Sequence, residues 1–451
     1  MASTVIDSSV FGCLFSTESM RRIFSDANLV QKWLDTEAAL ARAQGELGMI
    51  PKDAAAEICA KAKAELLNLE AIGEYYKSSI TIVPLLKEFK KVLANNAGEY
   101  VHWGATSQDI VDTGLILQIK EAHGEIACKV SQLQAAAYDL ADKHKSLVMA
   151  GRTHVIHALP ITMGFKAAVW ASELGRHVDR LNECKDRLFV GQLSGAVGTL
   201  ASMEDNGLRV QELMMKELAL NVPDIAWHTA RDHIAEFISI LALISGTVAK
   251  IAHEVLTLQR TEIGELEEPF FMGKVGSSTM PHKRNPQVVE NIIALTRSVR
   301  SIAPLAVEVM ICENERDWSC EVAEWEFVPR ACHLLDAALE KSIDVLQNLI
   351  VYPKAMEENL YKLRGLMLSE SVMMNLGEKL GRLTAHEIIY ETCMKAYAEN
   401  MNMQDALMQN PEVSRHFSST EIAAMLEPHK YIGLATTFVD RVLARRSSQA
   451  K

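Results

Sequence analysis

Prolines set the first constraint on this chain. There are twelve in 451 residues, and none falls between Pro84 and Pro160, between Pro160 and Pro223, between Pro223 and Pro269, or between Pro353 and Pro411. A proline inside a helix removes a hydrogen bond and clashes with the preceding turn, so tracts without one permit long helices. Ala, Leu, Glu, Lys, Gln and Met dominate those tracts, and all are good helix formers. Alternating β-branched runs bounded by turns are nearly absent. The expectation is an all-α chain.

Thr17 reads as an N-cap. After a break near Ser25–Asp26, Val30, Trp33, Leu34, Ala38 and Ala41 repeat at helical spacing until Gly48 and Pro51 stop the run. Residues 115–147 and 161–190 read as two long amphipathic helices. Residues 234–262 read as a third, apolar on most faces, which must be surrounded by other helices. Residues 288–312 and 327–350 add two more. Five long helices in succession imply an elongated bundle. Its apolar excess implies burial against other subunits, hence an oligomer. The expected division is an N-terminal helical domain (1–112), a central bundle (113–360) and a C-terminal helical domain (361–451).

Composition excludes some functions. The net charge of −12 argues against a nucleic-acid partner, because phosphate binding wants a basic surface. A small anionic substrate remains compatible, since a basic pocket can sit on an acidic protein. Eight scattered cysteines with no C-x-x-C pair give neither a disulfide framework nor a zinc site, and imply reduced thiols. The opening MASTVIDSSVFGCLF lacks the basic region of a signal peptide. The apolar segment 238–256 is interrupted by Ser245, Thr247, Lys250 and His253, and fits a core helix rather than a membrane span. The expectation is a cytoplasmic protein with no membrane partner.

Three polar, glycine-bearing segments break the helical pattern. HWGATSQD (102–109) places Thr106 and Ser107 at a helix start, a natural place for a carboxylate and also for an ordinary N-cap. GRTHVIHALP (151–160) holds Arg152, Thr153, His154 and His157 ahead of a proline that restarts a helix. A histidine there serves as proton donor or acceptor, or simply packs at the helix entrance. GSSTMPHKRNP (276–286) combines hydroxyls, Lys283, Arg284 and Asn285. The phosphate-loop pattern is not satisfied around Gly273 and Lys274. Ser277 has no Asp-x-x-His arrangement nearby to support a hydrolase triad. A serine oxygen can take a proton if its anion is stabilised, and backbone N–H groups and a nearby ammonium can do that. Lys283 can equally clamp a substrate carboxylate, with Asn285 hydrogen-bonding to it.

Taken together, the three segments resemble the fumarase/aspartase superfamily. GSSTMPHKRNPQVVE matches its signature, G-S-S-x-M-P-x-K-x-N-x-x-x-x-E, at every fixed position from Gly276 to Glu290. HWGATSQDIVDTG and GRTHVIHALPITMG match the other two family blocks in order, and GAVGT (195–199) belongs to the same likeness. The resemblance covers essentially the whole chain and is strongest to the adenylosuccinate lyase and 3-carboxy-cis,cis-muconate cycloisomerase branch. It implies an L-aspartase-like fold, a homotetramer with a twenty-helix core, and active sites shared by three subunits. No metal or organic cofactor is implied. The implied reaction removes a proton beside a carboxylate and expels a group from the neighbouring carbon through an aci-carboxylate, usually releasing fumarate. By resemblance Ser277 is the general base, with Ser278 an open alternative, and His154 is the general acid. Lys283, Asn285, Thr106 and Ser107 hold the dianion. Arg152, Thr153, Met280 and Arg231 are implied to position or contact substrate, with Glu290 and His102 in support. A loop around 273–281 is expected to close over substrate.

Within the branch, Gly12-Cys13-Leu14-Phe15 stands where adenylosuccinate lyases carry an Arg-Tyr pair. Ser78-Ser79-Ile80-Thr81 stands where they carry a His-Asp pair. Both argue against a nucleotide substrate. Trp227-His228-Thr229, Arg231-Asp232 and Ala323-Glu324-Trp325-Glu326 look like the cycloisomerases. Yet bacterial cycloisomerases usually lack the histidine of the Thr-His pair, and this chain keeps His154 and Glu290. A retained acid suits a leaving group that must be protonated. The sequence therefore favours a C–N lyase on a small N-substituted aspartate, with the cycloisomerase second and adenylosuccinate lyase behind it. The intact polar set argues against a crystallin-like, non-catalytic role.

Overall fold

The computed structural model of the chain describes residues 4–449. Thr17 caps α1 (Glu18–Ile23), accepting from the Met20 N–H at 3.3 Å. Ser25 caps α2 (Asp26–Glu46), accepting from the Asn28 N–H at 3.2 Å. Both caps fall where the sequence places a helix start and a break. The five long helices follow: α3 (Ser107–Lys143), α4 (Met163–Glu183), α5 (Asp232–Leu258), α6 (Gln287–Glu308) and α7 (Trp318–Gln347). Helix α7 starts nine residues ahead of the expected 327. It runs straight through Pro329, whose missing N–H does not stop a helix buried on the far side by Phe327, Val328, Ala331 and Leu335.

The described residues form two compact units, each discontinuous in sequence because every long helix contributes to both. One holds residues up to Ser131, Arg176–Ala249 and Asn291–Glu340; the other holds Gln132–Gly175, Lys250–Glu290 and residues from Lys341 onward. Helix α5 is long and apolar enough to cross a membrane by length and composition. Its Ile234, Phe237, Ile238, Leu241, Ile244, Val248, Ile251, Val255 and Leu258 are all buried within the protein. Burial of each such side chain contributes about 1.5–3 kcal/mol. In the second unit, α8 (Ser369–Leu380) and α9 (Arg382–Ala398) meet at Gly381 and pack through Val372, Leu376, Ala385 and Ile389.

One element departs from the helical reading. Residues 151–160, expected as a helix entrance, form most of an antiparallel hairpin, β1 (Val148–Thr153) with β2 (Ile156–Thr162). Pro160 does not restart a helix: it sits in β2 opposite Ala150, and α4 begins only at Met163. The strands are joined by a two-residue turn, His154-Val155, with φ of 50° and 64°. Positive φ at both central residues gives the twist that a tight hairpin needs. That conformation is normally left to Gly or Asn, and a β-branched valine there is strained. Two further short strands, β3 (Leu266–Glu267) and β4 (Ile350–Val351), pair antiparallel in the second unit.

Candidate active site

In the first unit the predicted groups surround the start of α3. Thr106 precedes the helix and Ser107 is its first residue, both half-buried. What fixes them is Asp109, a fully buried residue that the sequence reading quoted without giving it a role. One carboxylate oxygen accepts from the N–H groups of Thr106 (3.0 Å) and Gly195 (3.0 Å). The other accepts from the Ser194 N–H (2.9 Å) and faces His228 Nε2 (2.9 Å). A buried carboxylate with four donors is fully satisfied and rigid. It ties the helix start to the GAVGT stretch, where Gly195 adopts φ of 75°. Gln108 donates from Nε2 to the His228 carbonyl at 2.8 Å and accepts from Arg316 Nε at 3.0 Å.

His102 is held by Glu37, which contacts its ring Nδ1 at 2.7 Å and accepts its backbone N–H at 3.1 Å. Burial opposes a charge on this imidazole, but the Glu37 carboxylate outweighs it and raises the pKa.

Arg231 differs from its expected substrate-contacting role. It is 2% exposed and most of its donors are engaged. Nη1 and Nη2 form a two-pronged pair with Asp112 at 2.8 and 2.9 Å, and Nε donates to Glu324 Oε1 at 2.9 Å. Its guanidinium also lies 5.1 Å from the Trp227 ring centre. A guanidinium so enclosed, with four of its five N–H groups engaged by Asp112 and Glu324, acts as a brace rather than a ligand contact. Beside it, burial and then the Asp112 charge push the Glu321 carboxyl up to about 8.

In the second unit a short acidic run, Glu265, Glu267 and Glu268, anchors the other two segments. Glu265 takes the Arg152 guanidinium in two bonds, 2.6 and 2.9 Å, and also accepts from Asn359 Nδ2 at 2.7 Å. Arg152 therefore braces the hairpin rather than pointing free donors at a substrate. Thr153 and His154 stand exposed at the hairpin tip. Burial, and then Arg152, lower the pKa of His157, whose Nδ1 is buried without a partner.

Glu268 and Glu267 hold the base of the loop 269–286. Glu268 accepts from Lys274 Nζ at 2.7 Å and from the Val289 N–H at 3.0 Å, at the positive end of α6. Lys274, set aside as a phosphate ligand by its motif, is thus committed to the loop itself. Glu267 pairs with Arg284 at 3.3 Å and accepts from the Tyr352 hydroxyl. The Arg284 guanidinium also stacks 4.2 Å from the Phe270 ring centre. Asn285 donates from Nδ2 to the Gly276 carbonyl at 2.8 Å. A Cβ on Gly276 would come within 2.5 Å of the Lys283 carbonyl, so only glycine fits.

Inside that frame, Ser277 Oγ accepts from the N–H of Met280 at 3.1 Å and, more loosely, of Thr279 at 3.4 Å. Ser278 receives no such pair. Two N–H dipoles aimed at one hydroxyl oxygen lower the cost of its losing a proton. Met280 and Lys283 are exposed on the same loop, and Glu290 is exposed on the first turn of α6. Among the described residues no hydrogen bond joins His154 to Ser277 or Lys283. A cavity of about 910 Å³ in the first unit, lined by Phe15, Trp33, Tyr76, Gln118, Trp325 and His333, contains none of the predicted catalytic residues.

This helical architecture, with three polar segments on a helix start, a hairpin tip and a braced loop, defines a class. The chain belongs to the fumarate lyase superfamily, in the adenylosuccinate lyase and 3-carboxy-cis,cis-muconate cycloisomerase branch. The family described as "Lyase" matches residues 15–301, and "Adenylosuccinate lyase C-terminus" matches residues 365–442. N-acetyl-S-(2-succino)cysteine lyase from Enterococcus italicus is 42% identical, and the protein of that name from Dickeya dadantii is 40% identical. Each alignment spans 98% of this chain and 98% of the relative. The crystal structure of 3-carboxy-cis,cis-muconate lactonizing enzyme from Pseudomonas putida superposes with a TM-score of 0.92 at 35% identity, covering 98% of this chain and 100% of that one.

Proposed function

We propose that this protein is a fumarate-releasing lyase that cleaves a carbon–sulfur bond in an S-(2-succinyl) thioether, giving a thiol as second product. The leaving atom thus becomes sulfur, where the sequence favoured nitrogen. The two relatives at 42% and 40% identity support that change, since both names specify a succinylated cysteine. Chemistry supports it as well. A thiol has a pKa of about 8.5 and departs as thiolate with little help, whereas an amine must be protonated before it leaves.

The observation that carries the reading is Ser277 Oγ receiving the N–H groups of Met280 and Thr279. Ser277 takes the proton from the carbon beside the outer carboxylate. The electron pair moves onto that carboxylate as an aci-dianion, then returns to form the carbon–carbon double bond as the C–S bond breaks. Lys283 and the α3 start at Thr106 and Ser107 stabilise the dianion, and His154 supplies a proton to sulfur. These groups sit on separate segments, and a homotetramer with sites shared by three subunits unites them.

The cycloisomerase is the second reading, supported by the likeness to the lactonizing enzyme from Pseudomonas putida. The test is incubation with N-acetyl-S-(2-succinyl)cysteine, following fumarate by ultraviolet absorbance and thiol with an aromatic disulfide. Fumarate and thiol should appear in equal amounts. Turnover of an N-succinylated amino acid with none of the thioether would overturn the sulfur assignment. Efficient lactone formation from 3-carboxymuconate would favour the second reading.

A further inference from the structure

The sequence separates its cysteines too widely to suggest a pair, yet the fold brings two of them together. Cys312 lies in the connection after α6, and Cys320 is the third residue of α7. Their sulfurs are 2.8 Å apart. Two unbonded sulfurs normally stay farther apart than this, and a disulfide needs about 2.05 Å. The turn between them is already fixed. Asp317 accepts from the N–H groups of Glu313 at 3.3 Å and Ser319 at 3.0 Å, and its carbonyl accepts from the Cys320 N–H at 3.3 Å. Asn314 supplies the reversal, with φ of 56°. Both cysteines are therefore held at the two ends of an ordered turn, not on free chain.

We propose that Cys312 and Cys320 form a reversible disulfide, a modification site at the head of α7. The oxidant is a small-molecule disulfide of the glutathione class. The Cys312 sulfur, half-buried and reachable, attacks as thiolate and releases one small thiol. The Cys320 sulfur, 4% exposed and shielded from direct attack, then displaces the second. The balance is two protein thiols plus one small disulfide giving one protein disulfide plus two small thiols. Burial, followed by the Cys320 neighbour, pushes the Cys312 thiol up to about 12, so the first exchange is slow near neutral pH. The ring so closed contains Arg316, whose Nε donates to Gln108 beside Ser107. Oxidation therefore fixes a loop that braces the α3 start. None of this depends on the leaving group proposed above.

Trypsin cuts after Arg300, Arg316 and Arg330, so the two cysteines fall in different peptides, 301–316 and 317–330. The full-length protein is incubated with excess oxidised glutathione, alkylated, and digested without reductant. The expected result is the two peptides joined, a joint that dithiothreitol opens, and a melting temperature raised by a few degrees in the oxidised form. Cys312→Ser should abolish the joined species. That variant keeps the buried Cys320 intact, so folding is not at stake. A stable glutathione adduct on Cys312 with no joined peptides would overturn the proposal. So would free Cys312 and Cys320 while the exposed Cys13 and Cys128 are consumed.

Discussion

The two units handle their polar groups in opposite ways. In the first, Asp109 and Arg231 are each buried and each held by several hydrogen bonds, and the surroundings are helix and close-packed loop. In the second, Ser277, Met280, Lys283 and His154 sit at a loop or a hairpin tip, while carboxylates pin only the base: Glu265, Glu267 and Glu268. One arrangement holds the start of α3 rigidly in place. The other places the proposed reactive groups at exposed tips whose roots are pinned. An elimination needs both: a preorganised cradle for the dianion, and a base delivered once water is excluded.

Substitutions should separate the two behaviours. Ser277→Ala should give the largest effect, a loss of about 10³-fold in kcat, within the range for removing a positioned base. Its unfolding midpoint in urea should not change, because Ser277 bonds only to its own loop. Retained turnover would shift the base to another group, with Ser278 first in line. Asp109→Asn should do the reverse. One carboxylate oxygen would become an NH₂ facing N–H donors, leaving His228 or the loop at 194–195 without its partner. Urea unfolding should register a loss of about 2–3 kcal/mol, the scale for leaving buried donors of a carboxylate unsatisfied. KM should rise more than kcat falls. A stable Asp109→Asn enzyme with kcat collapsed and KM unchanged would break the contrast between units.

How much of this was legible in the sequence follows the same line. Proline spacing located the five long helices, because a long helix is a local, repetitive object, but it missed some ends: α3 starts eight residues before the expected 115, α4 ends seven before the expected 190, and α7 starts nine before the expected 327. The signature from Gly276 to Glu290 was legible through its resemblance to the family pattern, and the Gly276–Lys283 approach gives its glycine a physical reason. The hairpin was not legible. Its turn residues are His154 and Val155, not the Asn-Gly that signals a two-residue turn, and its strands carry no clean alternation. Long-range partners were equally hidden. Nothing near Arg231 in sequence announces Asp112 and Glu324, 119 and 93 residues away. Nothing near Arg152 announces Glu265. Asp109 stood inside a quoted motif, but its four donors come from residues 106, 194, 195 and 228. The Cys312–Cys320 contact depends on a turn that composition does not reveal.

The hairpin tip supplies the finest test of the contrast. Val155 holds φ of 64° with its side chain 87% exposed, so packing does not explain why a β-branched residue occupies this place. Strain of this kind costs about 1–3 kcal/mol and persists where it serves a site. Val155→Gly removes the steric cost but adds backbone freedom to the unfolded chain, worth roughly 0.5–1 kcal/mol in the opposite sense. The net expectation is a small gain in stability, about 1 kcal/mol or less, read from the urea midpoint. The adjacent His154 would then sit on a looser turn, so kcat should fall about twofold with KM unchanged, a loss near 0.4 kcal/mol in the transition state. A loss of stability would mean that the valine is not strained there. Unchanged kcat would mean that the stiffness of the turn does not serve proton delivery, and the contrast between a fixed cradle and a mobile reactive edge would then rest on the loop alone.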